Sequence, residues 1–387
     1  MKKRYLALLL AISMLLSNVA LTSCSPILCV FGHSDKDNDA ACDICGAVLE
    51  SDETPETPED PNEPEIPDEP EEPAIPEEPE IPVDPKDCTH EYELVDKKSP
   101  LVFKEGKATY KCPICKDSYT DVLPEADSIK VLAIGNSFSV DAVTYLWNIC
   151  RAAGIENVVV AYAQVGGSSL DNHASYISSG ASHYEYTKYT DGPYGVVQKN
   201  VKLDLALEDE EWDFITVQQL SSAAGKPDTY GNLESIVNYL SQKCPDADIY
   251  WQMTWAYKEG ITKAGFEYYN NDQLTMYNAI VSTVQSLVLD NPAIKGVIPA
   301  GTTLQNIRTS LFGDNVTRDG SHAGYGVGRF AVAMTWFVML TGGTPDMVKW
   351  NTTEYQLEVK HYRAIIDEAV ENAIKKPYKI TQSKYTN

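Results

Sequence analysis

The chain has 387 residues and a formal net charge of −25 at pH 7. Most of this charge is local, because residues 51–86 contain 15 acidic residues and one lysine and leave only −11 for the rest of the chain. The sequence contains no basic patch or basic run that would neutralise phosphates, so we expect no nucleic acid among its partners.

Residues 1–23 are predicted to be a lipoprotein signal peptide. Residues 2–4 are basic, and residues 5–16 form an apolar core that is too short for a convincing membrane-spanning helix. The segment 21–24 resembles the bacterial lipobox, which implies cleavage before Cys24 and diacylation of its sulfur. We therefore expect export to the extracytoplasmic face or cell surface, with the lipid on Cys24 binding the membrane. The alternative is ordinary signal cleavage nearby, which leaves Cys24 an unmodified thiol.

Two small modules, residues 24–50 and residues 87–124, carry the same set of metal-ligand side chains. Each has one Cys, one His and a Cys-x-x-Cys pair: Cys29, His33, Cys42 and Cys45 in the first, and Cys88, His90, Cys112 and Cys115 in the second. A Cys-x-x-Cys pair chelates one tetrahedral ion, and the distant Cys and His complete four ligands, so structural zinc is favoured. Both modules resemble zinc-ribbon-like modules of surface proteins from anaerobic bacteria. Disulfide pairing is the alternative in an exported chain.

Residues 51–86, between the two modules, are a predicted extended linker. Proline occupies every third position from Pro55 to Pro85, which matches the three-residue turn of polyproline II, and acidic residues fill most other positions. Repulsion between the carboxylates extends the segment further, so at roughly 3.1 Å per residue it spans on the order of 100 Å. A stiff spacer is the interpretation, and a ligand for a proline-binding domain is the alternative.

Residues 127–387 are predicted to form one α/β domain. Short apolar segments suitable for buried strands alternate with longer helical patterns, and the strands are expected at 130–134, 157–162, 214–218, 249–253 and 296–298. This alternation favours a five-stranded parallel sheet that helices cover on both faces. The aromatic stretch 251–257 follows the fourth strand and is interpreted as core packing, with a stacking platform for a sugar ring as the alternative.

Three residues of this domain are candidates for nucleophilic catalysis. Ser137 follows the first predicted strand, where Gly135 allows a tight turn at the carboxyl edge of the sheet. A serine hydroxyl is a weak nucleophile until a base takes its proton. His322 precedes a small-residue turn and a helix, which places this base on an edge loop, and Asp319 could orient its ring.

The segments 135–139 (Gly-Asn-Ser-Phe-Ser) and 319–322 (Asp-Gly-Ser-His) resemble blocks I and V of the SGNH (GDSL-like) hydrolase superfamily, in its carbohydrate-esterase-like branch. The resemblance covers residues 128–342 and implies a flavodoxin-like three-layer α/β/α sandwich. Asn136 stands where the family most often has an aspartate, and this change removes no catalytic group. The implied catalytic roles are nucleophile for Ser137, base for His322 and orienting acid for Asp319.

The family resemblance also implies an oxyanion hole with three donors. The first is the backbone N–H of Ser137, and the second is a glycine after the second strand, which Gly167 matches best. The third is a side-chain amide after the third strand, where this chain has Gln218 and Gln219 in place of the usual Gly-x-Asn-Asp. Gln219 is the predicted third donor and Gln218 its rival.

The predicted function is an exported serine esterase that transfers an acyl group to water through an acyl-serine, with O-deacetylation of a carbohydrate as the expected reaction. An acylated carbohydrate is thus the expected substrate. The chemistry needs no cofactor, so zinc in the modules would be structural. The alternatives are a non-catalytic glycan-binding protein of the cell surface, and a lipase or thioesterase on the same fold.

Overall fold

A computed structural model describes residues 88–352 and 354–386 of the chain. The predicted signal peptide, Cys24, the first Cys/His module and the linker 51–86 lie outside the described residues. Within these described ranges, no helix is both long enough and apolar enough to cross a membrane.

The described chain begins with a small antiparallel sheet. Its strands, in the spatial order β1-β2-β3, are β1 (Glu93–Lys98), β2 (Gly106–Lys111) and β3 (Ser118–Leu123). Nearly every side chain of β1 and β3 is exposed, so burial within this sheet is too slight to stabilise it alone. Packing against the rest of the fold or a crosslink must supply the remaining stability.

A larger sheet of seven strands forms the centre of the fold. Its strands are β4 (Ser128–Gly135), β5 (Asn157–Gln164), β6 (Tyr184–Tyr189), β7 (Val196–Val201), β8 (Phe214–Val217), β9 (Asp248–Gln252) and β10 (Ile294–Ile298). Their spatial order is β10-β9-β8-β4-β5-β6-β7. The strand β4 is a nearly continuous apolar run, as expected for a central parallel strand with both faces buried.

The predicted parallel sheet of five strands is confirmed as the core of this larger sheet. The strands β4, β5, β8, β9 and β10 pair in parallel, whereas β6 and β7 add an antiparallel edge that the sequence interpretation missed. The strand β7 is almost entirely exposed and therefore lacks the apolar run that marked the others. Since β4 lies between β5 and β8, the parallel core has the flavodoxin-like order with its switch point at β4.

Helices cover both faces of the sheet, in agreement with the predicted three-layer sandwich. The α-helices of the described residues are α1 (Ser137–Val143), α2 (Leu146–Ala152), α3 (Leu170–Ser179), α4 (Leu203–Glu208), α5 (Leu233–Lys243), α6 (Gln273–Thr283), α7 (Ala300–Arg308), α8 (Val327–Thr341) and α9 (Gln356–Lys375). The helices α1, α2, α7 and α9 all contact α8, and α3 and α4 both contact α5.

The loop between β1 and β2 joins the small sheet to the rest of the fold. The ring of Phe103 in this loop packs edge-on against Phe337 of α8. Leu101 of the same loop lines a cleft with Ser128 and Phe214, the residues at which β4 and β8 begin. The small sheet is therefore attached at the amino edge of the parallel strands.

Candidate active site

Ser137 is the first residue of α1 and is separated from the end of β4 by one residue. That residue, Asn136, caps the helix: its side-chain oxygen accepts the Phe138 N–H over 3.0 Å. The amide nitrogen of Asn136 donates to the Ser168 carbonyl over 3.0 Å. The asparagine therefore fixes the turn that presents Ser137 and ties it to the segment after β5.

Gly135 is needed because other side chains approach its backbone closely. A Cβ atom at this position would lie 2.5 Å from Ser139 Oγ and 2.8 Å from Gln218 Cγ. Both distances are too short for real contacts, so a larger residue would displace either α1 or the end of β8. The backbone of Gly135, two residues before Ser137, is thus packed tightly between Ser139 and Gln218.

The three predicted catalytic side chains form one hydrogen-bonded chain. Nε2 of His322 lies 2.9 Å from Ser137 Oγ, and Nδ1 lies 2.6 Å from Asp319 Oδ2. With the Nδ1 proton directed at the carboxylate, Nε2 is the acceptor for the serine proton. The arrangement supplies a nucleophile, a base and an orienting acid in the geometry that acyl transfer requires.

The backbone of its own loop holds Asp319 in its ionised form. Burial acts to raise the pKa of this carboxyl, but donation from the backbone N–H groups of His322 and Ser321 and from the imidazole outweighs it. The pKa of Asp319 consequently lies well below its ordinary value. The carboxylate is therefore charged at neutral pH, where it accepts the Nδ1 proton of the imidazole.

A lysine that sequence reasoning missed approaches the same carboxylate through a serine. Ser321 Oγ donates to Asp319 Oδ1 over 3.0 Å, and Nζ of Lys263 donates to that hydroxyl. Lys263 belongs to the loop after β9, and its Nζ also lies 5.5 Å from the ring centre of Tyr257. No motif marks this lysine, because only the folded chain brings the loop next to residue 321.

The aromatic stretch 251–257 is core packing, as interpreted, and its large rings are not a sugar platform. Trp251, Trp255 and Tyr257 are all at most 2% exposed. An exposed ring face is required for sugar stacking, so the alternative assigned to this stretch is wrong. The rings instead support the residues of the site from within the core.

Two of the predicted oxyanion donors have free backbone N–H groups. Gly167 adopts a positive φ of 68°, and a Cβ there would meet open space. Among the described residues, neither the N–H of Gly167 nor that of Ser137 has a hydrogen-bond partner. Both groups remain available to a substrate oxygen.

Gln219, the predicted third donor, is a structural residue, and that prediction is wrong. Its amide nitrogen donates to both the carbonyl and the hydroxyl of Thr229, over 2.8 and 3.1 Å. Its oxygen accepts the N–H groups of Leu170 and Leu220. Every hydrogen-bonding position of the amide is occupied, because the side chain holds together the loops that follow β5 and β8.

The rival residue, Gln218, lies closer to the nucleophile. Its Nε2 donates to Asn136 Oδ1 over 2.8 Å, and its Oε1 is buried without a partner among the described residues. The bonds of Asn136 to Ser168 and Phe138 fix which end of each amide is nitrogen. The second N–H of the Gln218 amide has no acceptor among the described residues, and the side chain is 2% exposed.

A candidate metal site lies beside the strands of the small antiparallel sheet. One ligand atom from each of Cys88, His90, Cys112 and Cys115 lies within 4.8 Å of the others. The cysteines are free thiols, and the Cys88 and Cys112 sulfurs are 3.8 Å apart, far beyond a disulfide bond. Three sulfurs and one imidazole nitrogen are a donor set that suits tetrahedral zinc.

No curated protein matches the chain. A candidate SGNH hydrolase from Slackia heliotrinireducens is 19% identical and covers 56% of this chain and 100% of its own, with a TM-score of 0.36. A family 3 carbohydrate esterase from Clostridium thermocellum is 12% identical and covers 61% and 99%, with a TM-score of 0.34.

A higher similarity links the chain to a protein whose crystal structure was determined at 1.50 Å resolution. This DUF4886 family protein from Bacteroides uniformis is 36% identical, covers 66% of this chain and 98% of its own, and gives a TM-score of 0.63. The model of the family described as "Domain of unknown function (DUF4886)" matches residues 130–364. The matched range includes both Ser137 and the Asp319–His322 loop, and the chain belongs to the DUF4886 family.

Proposed function

We propose that the protein is a serine esterase of the SGNH type. The observation that carries this proposal is the continuous relay from Ser137 Oγ through His322 to the Asp319 carboxylate, with contacts of 2.9 and 2.6 Å. Such a chain of hydrogen bonds promotes acyl transfer, because the base accepts the serine proton as Oγ forms a bond to the acyl carbon.

In the proposed mechanism, His322 Nε2 removes the Ser137 proton while Oγ attacks the ester carbonyl. The N–H groups of Ser137 and Gly167 bind the oxyanion, and Asp319 stabilises the imidazolium. The imidazolium then protonates the leaving alcohol, and an acyl-Ser137 remains. Water then loses a proton to His322 and attacks the acyl carbon, the bond from that carbon to Ser137 Oγ breaks, and His322 returns the proton to Oγ as the carboxylic acid leaves.

We propose Gln218 as the third oxyanion donor. Its free N–H, its position beside Gly135 and its fixed amide orientation all support this role. A hydrogen bond from a side-chain amide to the developing charge is worth about 100- to 1000-fold in rate. Gln218 must therefore contribute measurably if the site performs this chemistry.

The proposed substrate is an O-acetylated carbohydrate. The resemblance of the segments 135–139 and 319–322 to the carbohydrate-esterase branch supports it. We also retain export and a lipid tether at Cys24 as proposals from the sequence of residues 1–24. Both would place the enzyme outside the cytoplasm, where acylated polysaccharides are accessible.

The function is tested by turnover of an aryl acetate and by labelling with a fluorophosphonate, both on the purified full-length protein. Ser137→Ala should abolish both signals. Ser178→Ala is the matched control, since Ser178 lies on α3 and bonds only to its own helix. A wild-type protein that neither turns over esters nor is labelled would support a glycan-binding protein instead. Faster hydrolysis of long-chain esters or thioesters than of acetyl esters would favour a lipase or thioesterase.

We further propose structural zinc at the site formed by Cys88, His90, Cys112 and Cys115, called the Cys88 site below. Three thiolates and one imidazole would hold it, and β1–β3 need such a crosslink because they bury so little side-chain surface. No step of the ester chemistry involves this site. Its predicted counterpart at Cys29, His33, Cys42 and Cys45 remains a proposal from the sequence.

A further inference from the structure

A buried carboxylate connects the helix of the nucleophile with the loop of the acid and base. Asp141 lies one turn after Ser137 on α1 and is 0% exposed. An isolated buried carboxylate would be strongly unfavourable, so its partners must compensate for the lost hydration. All of these partners lie on the segment around the catalytic pair or at the start of α8.

The first partners of Asp141 are two guanidinium groups. Arg318 Nη1 donates to both carboxylate oxygens, over 2.8 and 3.0 Å. Arg329 donates to Oδ1 through Nε over 2.8 Å and also contacts it through Nη2 at 2.7 Å. The ring of Tyr325 lies across both guanidinium groups, with centroid distances of 4.8 and 4.9 Å. The cluster is thus a three-residue ionic group with an aromatic cover.

The remaining partner is a backbone group. The N–H of Ala323, the residue after His322, donates to Asp141 Oδ2 over 2.9 Å. Arg318 is the residue before Asp319, and its backbone N–H donates to the His322 carbonyl over 2.9 Å. One carboxylate therefore holds both ends of the four-residue segment 319–322.

We propose that Asp141 is a positioning residue that sets the contact between Ser137 Oγ and His322 Nε2. The inference rests on the proposed esterase function. The nucleophile and the base are 185 residues apart in sequence, so their contact depends on tertiary links between α1 and the loop. Asp141 supplies this link through three hydrogen bonds, two from Arg318 and one from Ala323, while Arg329 holds the carboxylate against α8. Asp141 does not contact the Ser137 hydroxyl or the His322 ring.

The substitution Asp141→Asn keeps the size of the side chain but exchanges one acceptor for a donor. That donor faces a guanidinium or the Ala323 N–H, so the segment 319–322 must shift. Because displacements of about 1 Å in an active site cost on the order of 100-fold in rate, we expect kcat to fall 10- to 100-fold. We expect KM to change less than about threefold, since substrate binding does not involve this contact.

The experiment measures kcat, KM and the rate of fluorophosphonate labelling for full-length wild type, Asp141→Asn and Arg318→Gln. Arg318→Gln removes one guanidinium group from the cluster. Because Arg318 is partly exposed, this variant still tests the proposal if Asp141→Asn does not fold. Asp367→Asn is the matched control, because it breaks the Arg363–Asp367 ion pair on α9, away from the site. All rates are taken well below each variant's melting temperature.

Slower turnover and slower labelling in both cluster variants, with wild-type rates in Asp367→Asn, support the proposal. The double variant Asp141→Asn/Arg318→Gln should be no slower than the worse single variant, because both changes break one link. Labelling and turnover within twofold of wild type in folded Asp141→Asn or Arg318→Gln would overturn it. If wild type itself is neither labelled nor active, the proposed function fails instead.

Discussion

The indole of Trp255 lies flat against the ring of Phe138, with ring centroids 4.3 Å apart and 6° between the planes. Phe138 follows Ser137, the proposed nucleophile, on α1. The same indole donates its Nε1 proton over 2.6 Å to the carbonyl of Ser321, the residue before His322. The buried Trp255 side chain therefore contacts both the helix that carries Ser137 and the loop that carries Asp319 and His322.

Trp255→Phe should lower both stability and activity. The substitution keeps a stacking ring but leaves the buried Ser321 carbonyl without its donor, which costs about 1–3 kcal/mol in the free energy of unfolding. We expect kcat to fall roughly tenfold as the loop relaxes. Trp336→Phe is the control, since Trp336 is equally buried but its Nε1 has no partner among the described residues. Denaturant unfolding and aryl acetate turnover check the pair, and equal effects of the two substitutions would contradict this role of Trp255.

Asp319→Asn should reduce kcat by about 1,000- to 10,000-fold, since the neutral amide neither stabilises the imidazolium nor fixes the Nδ1 tautomer. The backbone donors of residues 321 and 322 still have an oxygen to bind, so the fold should persist. Steady-state kinetics on an aryl acetate measure the loss. Asp346→Asn makes the same chemical change at a surface turn and should retain full activity.

Gln218→Met and Gln219→Met should separate catalysis from structure. Loss of the Gln218 N–H removes the proposed oxyanion donor, and kcat should fall about 100- to 1000-fold with little change in KM. Gln219→Met breaks the bonds to Thr229 and Leu170 and should mainly lower the melting temperature. A larger loss of kcat from Gln219→Met than from Gln218→Met, measured below both melting temperatures, would reverse the assignment.

The buried His173 should make stability depend on pH. Burial lowers the pKa of His173 from 6.5 to about 4, so the unfolded chain binds the proton more tightly than the folded one. The contribution of His173 to the free energy of unfolding is therefore fully present above pH 6.5 and is lost as the pH falls toward 4, by on the order of 3 kcal/mol in total. His173→Gln should show a shallower decline in urea titrations across this range. His183→Gln, at an exposed position, should follow wild type.

Cys115→Ser should release about one equivalent of zinc per chain relative to wild type and leave kcat within twofold. The Cys88 site belongs to the small sheet, whose attachment to the domain is at the edge opposite Ser137. Elemental analysis and aryl acetate kinetics provide the two readouts. Cys244→Ser, which removes a cysteine outside the cluster, should keep the metal. A metal content unchanged in Cys115→Ser would refute the zinc proposal.

The parts of the fold that local patterns determine were predictable from the sequence. The apolar run of β4 followed by Gly135 and Ser137 marks a buried strand and its turn, and the spacing of Asp319 and His322 marks a loop pair. Both patterns are formed by residues that lie close together in the sequence, so they can be recognised without the structure. The antiparallel edge strand β7 has no such pattern, because its valines and its polar residues are almost all exposed and no face of the strand is marked as buried.

The residues that sequence reasoning missed or misassigned owe their roles to distant contacts. Asp141 looks like an ordinary helix aspartate until Arg318 and Ala323 fold onto it. The roles of Gln218 and Gln219 depend on which side-chain amide is hydrogen-bonded to other loops, and Thr229 accepts the hydrogen bonds of the Gln219 amide. The spacing of residues along the sequence does not show which of two neighbouring side chains will bind a distant loop.

The attachment of the small sheet at the amino edge of the parallel strands keeps this sheet away from Ser137, which lies at the carboxyl edge of β4. The small sheet therefore does not cover the edge at which the proposed chemistry takes place. For the proposed esterase, this arrangement is compatible with removal of acyl groups along the length of a polymer as well as at its ends.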